Sequence, residues 1–369
     1  MDKILLIGPK INVCNKKSYG GGSGGYTRNM YVYLNYFLFD TIKVIPVFHT
    51  IKGEINFGIF TKPYRLLLDI IYLVSAILKN KIQGVHILGQ YRGAVLRELS
   101  MILICKIVQI PILYEIKAGA FIKSYESGSS FYKKSIDLII KNSKIILVEG
   151  KIYQEHINKL YHKKSYYFPN IVPSNEIPNK VNKKFQSGIL KVLFVGFAYE
   201  GKGIKELIMG CDILAKKGKQ IELTLVGLID PEIENFIDNM YKSKLFKINK
   251  KGKLKHSDVL SEFTTNDIYA YPTKHEGEGH NNTINEALMH QMVISSTKIG
   301  FIDDFLNDEN SYPINELNSE VISNTFLKII RDIPLAIDKS RKGRKLILEQ
   351  FNSEIAKLNL EKYYNELLR

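Results

Sequence analysis

Short apolar runs alternate with amphipathic segments along the whole chain, and this alternation predicts the secondary structure. In the first half the runs of strand length are KILLIG, TIKVIPVF, GVHILG, PILYEIK and KIILVEG. Helical patterns lie between them: one begins near Tyr26, others cover Tyr64–Leu78 and about Ala94–Val108, and another is KSIDLIIKNSK. We expect the Tyr64–Leu78 helix to be buried or half-buried. Strands alternating with helices predict a parallel sheet covered on both faces.

A polar stretch, Pro173–Gly188, interrupts the pattern. It has two prolines and no periodicity, which is typical of a linker. The alternation then restarts with the strand patterns KVLFVG, IELTLVG, LFKIN, DIYAYPT and VISST. A helix-like segment from about Leu335 to Arg369 ends the chain, with an interruption expected near Gly343. One helical face is predicted for Ile347, Phe351, Ile355 and Leu358.

These patterns predict an α/β protein with two doubly wound parallel-sheet domains. The expected boundaries are 1–172 for the first domain, 173–188 for the linker and 189–345 for the second domain. A C-terminal helix, 346–369, is expected to pack back on the first domain. In such sheets the carboxyl ends of the strands face the ligand, so we expect a cleft between the domains there.

Composition narrows the class of protein. Cys14, Cys105 and Cys211 lie far apart, and the sequence has neither a C-x-x-C pair nor a Cys/His cluster, so we expect a reducing compartment and no metal site. The N-terminal apolar run is a strand pattern and too short for a signal peptide. The Tyr64–Leu78 segment is shorter than the roughly 20 residues that span a bilayer. We therefore expect a cytoplasmic protein.

The chain is strongly basic, with a net charge of +15 and a pI near 9.3. This charge is compatible with nucleic acid, an anionic membrane surface or phosphorylated small molecules. The sequence contains no zinc finger, RRM signature or basic zipper, so nucleic acid is not an expected partner. The densest basic run, Lys242–Lys255, is interpreted as a solvated face, and contact with anionic lipid headgroups is the alternative.

The clearest candidate site lies between the predicted strand DIYAYP and a helix. Here Glu278 precedes Gly279, and Glu286 follows inside the helix. Backbone N–H groups at a helix start bind anions, and carboxylates accept strong hydrogen bonds from sugar or ribose hydroxyls. The residues alone leave open a second interpretation, a polar loop whose Asn and Thr cap the helix. The segment between the glutamates contains His280, Asn281, Asn282 and Thr283.

This segment resembles the signature of glycosyltransferase family 4, in which Glu-Gly opens the loop and a second Glu follows after seven intervening residues. Glu276 does not fit that register, since Ile284 lies eight residues on. The resemblance implies a retaining enzyme with the GT-B fold, formed by two Rossmann-like domains facing a cleft. It further implies that Glu278 contacts the donor sugar, Glu286 the ribose, and the backbone from Gly279 to Thr283 the sugar and the diphosphate.

A second glycine turn follows the strand KVLFVG and precedes a helix. The segment Gly196–Gly203 resembles the family's phosphate loop, and the resemblance gives Lys202 the role of neutralising the leaving diphosphate. Gly196 and Gly201 belong to the same loop. Relatives usually have an arginine after the first glycine, whereas this chain has Phe197.

The same loop nearly satisfies the P-loop pattern G-x-x-x-x-G-K-[ST]. Its last position is Gly203, so the hydroxyl that would hold Mg²⁺ is missing. An ATP- and Mg²⁺-dependent phosphotransferase is therefore the first alternative. A βα turn with a surface lysine is the purely structural one.

A glycine-rich stretch, Gly20–Gly25, precedes Arg28 in the first half. It formally contains G-x-G-x-x-G, but it begins more than ten residues beyond the first strand, so an NAD-binding fingerprint is disfavoured. The stretch looks like the family's N-terminal glycine loop, which implies that Gly24, Gly25 and Arg28 approach the donor phosphate. A mobile surface loop is the alternative.

Lys117 follows the predicted strand PILYEI, at a point where many relatives have a histidine-glycine pair. We predict that it faces the acceptor or the sugar. His86 also lies in a predicted strand and is interpreted as a core histidine. Tyr167–Asn170 is similar to the family's hinge, with Asn170 in a structural role.

The sequence therefore predicts a glycosyltransferase that moves a hexose-type sugar from a UDP- or GDP-sugar to a glycan or lipid-linked acceptor, without a metal or other cofactor. By family habit, we expect a role in bacterial surface-polysaccharide assembly (capsule or O-antigen) and peripheral contact with the inner face of the cell membrane. A non-catalytic sugar-binding protein of the same fold is a further alternative.

Overall fold

The structure is a computed structural model that describes residues 1–11, 24–50, 57–90, 92–117, 119–181, 183, 185, 188–240 and 242–369. Contacts divide the chain into two compact units. The first consists of Met1–Asn170 and Ser353–Arg369, and the second of Ile171–Asn352. Each unit has its own parallel sheet.

The first unit contains a six-stranded parallel sheet in the order β2-β1-β3-β4-β5-β6. Its strands are β1 (Asp2–Pro9), β2 (Ile42–His49), β3 (Gly84–Gly89), β4 (Ile112–Ile116), β5 (Ile145–Val148) and β6 (Tyr166–Tyr167). Its helices are α1 (Gly24–Tyr36), α2 (Thr61–Lys79), α3 (Val95–Ile107), α4 (Phe121–Glu126), α5 (Ser130–Asn142) and α6 (Lys151–Tyr161).

The second unit contains another six-stranded parallel sheet, in the order β12-β11-β10-β7-β8-β9. Its strands are β7 (Ile189–Val195), β8 (Gln220–Val226), β9 (Phe246–Gly252), β10 (Ile268–Tyr271), β11 (Val293–Thr297) and β12 (Tyr312–Ile314). Its helices are α7 (Ile204–Lys216), α8 (Pro231–Asn239), α9 (His256–Thr265), α10 (Asn282–Met289), α11 (Ser319–Arg331) and α12 (Ile333–Glu349). The final helix, α13 (Ser353–Leu368), belongs to the first unit.

Strands β1–β5 and β7–β11 lie where the apolar runs predicted them, which confirms the doubly wound α/β class, whereas the short strands β6 and β12 were not predicted. In the central strand β1, Ile4–Ile7 are fully buried, because helices cover both faces of a parallel sheet. The edge strand β2 contains Pro46 and buries only part of its residues. An edge position tolerates proline, whose missing N–H breaks no ladder on the open side.

The described residues of 173–188 pack on the second unit. Lys183 is buried, and its Nζ donates to the carbonyl oxygens of Phe263 (3.2 Å) and Asn266. Arg344 donates to the carbonyl oxygen of Pro178. The structural division of the chain therefore falls at residues 170/171, before this segment.

The C-terminal helix prediction was wrong in two details. Gly343 does not interrupt the helix. It is buried inside α12, where a Cβ would lie 2.6 Å from the Leu288 side chain. The break comes at residues 350–352 and shifts the helical phase, so Leu358 is exposed while Ala356, Leu360 and Tyr364 are buried.

Candidate functional site

The candidate site of the second unit lies at the carboxyl ends of β7 and β10. These strands are neighbours in the sheet, although β8 and β9 follow β7 in sequence. The chain order therefore reverses direction between them, and ligands of open parallel sheets bind at such switch points. The two motifs singled out in the sequence, Gly196–Gly203 and Glu278–Glu286, both begin there.

The turn after β7 places Lys202 at this edge. Residues Glu200–Lys202 form one turn of 3-10 helix, and α7 begins directly after Gly203. Gly203 has φ +66°, and a Cβ there would lie 2.0 Å from the carbonyl oxygen of Pro272. Only glycine allows the start of α7 to approach the segment after β10 so closely.

Lys202 and Glu278 form an ion pair at the centre of the site. The ammonium of Lys202 also donates to the hydroxyl of Tyr271 (2.6 Å) and lies 5.0 Å from the centroid of its ring. The carboxylate of Glu278 accepts from the hydroxyls of Tyr271 (3.1 Å) and Thr273 (3.2 Å). Tyr271 and Thr273 were not among the predicted site residues, although both lie at the end of the strand pattern DIYAYPT.

This ion pair is largely withdrawn from water. The Lys202 side chain is 14% exposed and that of Glu278 is 8% exposed. Burial lowers the pKa of Lys202 to about 8. Burial also raises the pKa of Tyr271, so its hydroxyl keeps its proton and acts as a donor. The site thus combines a desolvated cation with a desolvated carboxylate.

The backbone of Glu278 is held by a second close approach. Gly300 has φ +65°, and a Cβ there would lie 2.2 Å from the carbonyl oxygen of Glu278. The loop after β11 therefore packs directly on the backbone that carries the carboxylate.

The capping interpretation of the loop also holds. The side chain of Asn281 is the N-cap of α10 and accepts from the backbone N–H groups of Thr283 (2.9 Å) and Ile284 (3.1 Å). The Thr283 hydroxyl lies 2.5 Å from that of Tyr269. These contacts fix the direction of the helix start beside the Lys202–Glu278 pair.

The other residues predicted in this loop differ in their surroundings. Glu286 lies on α10 and is 3% exposed. His280 is buried, and its ring lies 4.3 Å from that of Phe305 and 4.9 Å from that of Phe351. The side chain of His280 therefore packs in the core. Among the described residues, no donor reaches the buried amide oxygen of Asn282.

Phe197, the residue in place of the expected arginine, follows Gly196 at the end of β7. Its side chain is 48% exposed, and its ring stacks on that of Tyr199 at 5.3 Å. The nearby Gly201 faces the same ring, since a Cβ there would lie 2.4 Å from Tyr199. The stacked rings of Phe197 and Tyr199 therefore lie where the resemblance predicted an arginine.

Arg28 belongs to the first unit, on α1, and Gly24 and Gly25 begin that helix. The predicted glycine loop before them, from Gly20 to Ser23, lies outside the described residues, as does Cys14.

Lys117 takes part in a buried network of the first unit. Its Nζ lies 3.0 Å from Glu115 and donates to the Phe168 carbonyl (3.1 Å) and to Asn170 Oδ1 (3.3 Å). Glu115 also accepts from Tyr33 (2.6 Å) and lies 3.1 Å from His86 Nε2. His86 is thus a hydrogen-bonded core histidine. The role of Lys117 at the acceptor stays a prediction, and these contacts give it a structural role in the first unit.

Three of the seven lysines in the basic run Lys242–Lys255 lie close to acidic side chains. Lys247 lies 3.9 Å from Glu222, Lys250 lies 3.0 Å from Glu234, and Lys251 lies 3.2 Å from Glu262. This pairing matches the interpretation of the run as a solvated face.

No group of three or more His, Cys, Asp or Glu side chains in the described residues is placed to hold a metal ion. No helix in them has the length and apolar content needed to cross a membrane.

Residues 176–346 match the family described as Glycosyl transferases group 1, and this range includes Lys202, Glu278 and Glu286. Over its full length the fold is similar to that of a glycosyltransferase from Rickettsia africae (TM-score 0.72, 16% identity, 100% of this chain and 99% of that one). It is also similar to Anabaena Alr3699/HepE in complex with UDP and glucose (TM-score 0.64, 12% identity, 99% and 100% of the two chains). The chain has the GT-B fold. With its two parallel sheets, this confirms the fold predicted from the sequence.

The chain is 29% identical over 197 residues to the capsular polysaccharide biosynthesis glycosyltransferase CapM of Staphylococcus aureus. The match covers 53% of this chain and about half of CapM, 51% of its length. Together with the group 1 match, it supports a glycosyltransferase of the GT-B type.

Proposed function

We propose that this chain is a retaining, metal-independent glycosyltransferase of family 4. It transfers a hexose-type sugar from a UDP- or GDP-sugar to a glycan or lipid-linked acceptor in bacterial surface-polysaccharide assembly. One observation carries the proposal: the buried Lys202–Glu278 pair at the switch point of the second sheet. The likeness to CapM supports the polysaccharide pathway, and peripheral contact with the inner membrane face is part of the same proposal.

In this proposal the donor binds to the second unit. Lys202 neutralises the diphosphate, together with backbone N–H groups at the start of α10, because both offer positive charge to an anion. Glu278 accepts hydrogen bonds from the donor sugar, and the buried Glu286 accepts them from the ribose hydroxyls. The orphaned amide oxygen of Asn282 offers a further acceptor for a ligand hydroxyl.

The reaction that we propose exchanges one C–O bond for another. The bond between the anomeric carbon and the diphosphate breaks, and the acceptor oxygen bonds to that carbon on the same face. The acceptor proton passes to a donor phosphate oxygen, and the nucleoside diphosphate leaves. Negative charge develops on that leaving group, so a preformed cation such as Lys202 stabilises the transition state more than the ground state.

The phosphotransferase alternative conflicts with the geometry of Gly203. A P-loop needs Ser or Thr at this position to hold Mg²⁺. Here a Cβ would collide with the Pro272 carbonyl oxygen, so the backbone path leaves no room for a hydroxyl side chain.

Nucleotide-dependent thermal stabilisation tests the proposal. The purified protein is melted with UDP, GDP, ADP, CMP, NAD, or ATP with Mg²⁺, each with and without EDTA. A nucleotide at about 100 times its Kd adds roughly 2.7 kcal/mol to the free energy of unfolding. We expect a rise in Tm with UDP or GDP that persists in EDTA.

Glu286→Gln should abolish that rise, whereas the surface variant Glu349→Gln should keep it. A rise in Tm only with ATP and Mg²⁺, or only with NAD, would overturn the proposal. So would a response to UDP or GDP that is unchanged in Glu286→Gln.

A further inference from the structure

Helix α2 carries apolar residues on two opposite faces. The inner face packs on β2 and contains the buried Leu73. The sequence predicted a buried or half-buried helix, yet the outer face is exposed. We call this outer face the apolar stripe, which consists of Phe60, Tyr64, Leu67, Ile71, Val74 and Leu78.

The residues of the apolar stripe are spaced alternately by four and three positions, which places them along one line on the helix. Leu78 is 80% exposed and Phe60 is 68% exposed. Phe57 and Ile59, just before the helix, extend the exposed apolar surface. The outer face of a surface helix normally carries charged residues, and a contiguous exposed apolar patch marks an interaction site.

The charges around the stripe have one sign. Among the basic residues between 57 and 81, Lys79 follows Leu78 at the C-terminal end of the stripe and Lys81 follows the helix. Lys62 lies about 160° around the helix from the stripe, and Arg65 donates to Thr50 on the inner face. Asp69 is the single acidic residue of this stretch, and it lies on the inner face, where it accepts from the Thr50 backbone N–H (2.7 Å). The surface is therefore apolar and cationic.

A groove of about 570 Å³ lies between α2 and the edge strand β2. Lys10 and Lys79 line it, together with Tyr72 and Ser75 of α2. The groove therefore brings the cationic side chains of Lys10 and Lys79 together beside α2.

These charges distinguish between two occupants of the stripe. Two copies of α2 placed side by side would bring the apolar stripes together but would leave Lys79 and Lys81 without a counter-charge, because residues 57–81 offer no exposed carboxylate to pair with them. An anionic lipid surface complements both features at once. Apolar side chains enter the boundary between headgroups and acyl chains, and each lysine near such a surface contributes about 1 kcal/mol.

We propose that α2 docks this protein on an anionic membrane surface, with the apolar stripe buried among the lipids and Lys79 and Lys81 at the headgroup phosphates. The inference specifies the surface behind the peripheral location in the proposed function. It does not depend on the transfer chemistry.

Vesicle co-sedimentation of the full-length chain, without any nucleotide sugar, tests the docking. We expect binding to phosphatidylcholine vesicles that contain phosphatidylglycerol and weak binding to phosphatidylcholine alone. Leu67→Glu combined with Leu78→Glu should lower the partition coefficient by more than about tenfold, since each leucine loses its burial in lipid. Lys79→Glu and Lys81→Glu should each lower it by at least about fivefold, an effect that salt reduces.

Leu358→Glu is the matched control, because Leu358 on α13 has the same 54% exposure as Leu67. It should bind vesicles like the wild type. The docking proposal fails if the wild type ignores anionic vesicles, if Leu358→Glu loses as much binding as the stripe variant, or if the stripe mediates a dimer that the leucine variants abolish.

Nucleotide stabilisation separates this proposal from the proposed function. The stripe variants should retain the wild-type rise in Tm with UDP or GDP, which also shows that they fold. Vesicle binding without any nucleotide response would overturn the transferase and leave the docking intact. A nucleotide response without vesicle binding would overturn the docking and leave the transferase intact.

Discussion

Lys202 and Glu278, which are 76 positions apart in the sequence, meet as a buried ion pair at the carboxyl ends of β7 and β10. The order of the sheet causes this meeting, because β10 lies directly beside β7. The same hydroxyl, that of Tyr271, contacts both side chains. The charges of the site therefore come from this buried pair, and substitutions of its two residues test their role.

Removing either charge of this pair should lower turnover strongly. We expect Lys202→Met and Glu278→Gln each to reduce kcat by about 100- to 1,000-fold, the range seen when one stabilising group for developing charge is lost. Release of nucleoside diphosphate from candidate donors measures the effect. Lys205→Met is the control, since Lys205 lies three residues further on, in the first turn of α7, and pairs with the exposed Glu200 and Glu232. Near-normal rates in both site variants would contradict the assignment.

The rate should fall on the alkaline side of neutrality. With the pKa of Lys202 lowered to about 8, its ammonium loses its proton as the pH rises through that value, and the diphosphate loses its counter-charge. We expect kcat/KM, which reports the free enzyme, to decline above about pH 8. Lys202→Arg should move the decline to higher pH, because arginine stays protonated. An unchanged profile in that variant would exclude Lys202 as the titrating group.

The same pKa shift lowers the rate at alkaline pH but makes the folded protein more stable there. Between the folded pKa of about 8 and the ordinary value of 10.5, the unfolded chain binds more protons at Lys202 than the folded chain does. The free energy of unfolding therefore rises with pH in this window. Lys183 has a similarly lowered pKa and contributes a slope of the same sign. Urea denaturation at several pH values should thus show that the free energy of unfolding rises less steeply with pH in Lys202→Met than in the wild type.

Gly203→Ala should destabilise the protein and weaken nucleotide binding. The new methyl group would meet the Pro272 carbonyl oxygen and also strain the left-handed backbone. Gly218→Ala is the matched control, because Gly218 also has a positive φ (+85°) but no heavy atom lies within 4 Å of its Cβ position. The control should lose about 1 kcal/mol from backbone strain alone, and Gly203→Ala should lose clearly more. Equal losses in urea denaturation would show that the close approach is unimportant.

Phe197→Arg should tighten nucleoside diphosphate binding by about tenfold, the effect of one added charge-assisted hydrogen bond. Phe197 is half-exposed at the end of β7, beside the proposed diphosphate position. Leu228→Arg controls for added charge, since Leu228 follows the next strand and is 51% exposed. Titration calorimetry with UDP or GDP measures both. Equal or weaker affinity in Phe197→Arg would show that position 197 does not face the bound diphosphate.

Lys117→Met should destabilise the first unit by about 3–5 kcal/mol, because it removes the cation paired with the buried carboxylate of Glu115. Lys117 and its hydrogen-bonded neighbours hold the pKa of Glu115 down to about 2 against the effect of burial. The double variant Lys117→Met/Glu115→Gln should recover much of the loss in urea denaturation. A small loss in the single variant that the second change does not relieve would exclude this pairing as a stabilising element.

The sequence by itself determined the elements and the position of the motifs. Apolar runs such as KILLIG must be buried on both sides, and the helical patterns between them allow only a parallel sheet. The local sequence Glu278–Gly279 before a helix could also be recognised without the structure, because a helix cap and a turn are local features. Residues 275–288 therefore indicated a ligand-binding loop before any contact was known.

Tertiary structure alone decided which of these residues meet and how deeply they are buried. No local pattern places Lys202 against Glu278, because strand order depends on packing across the whole sheet. His280 turned out to be a core residue and Lys117 a member of a buried network, since burial depends on neighbours that are distant in sequence. The exposure of the apolar stripe on α2 likewise depends on the tertiary structure. An apolar residue in a helix predicts only that it avoids water, and the fold decides whether the protein or another surface covers it.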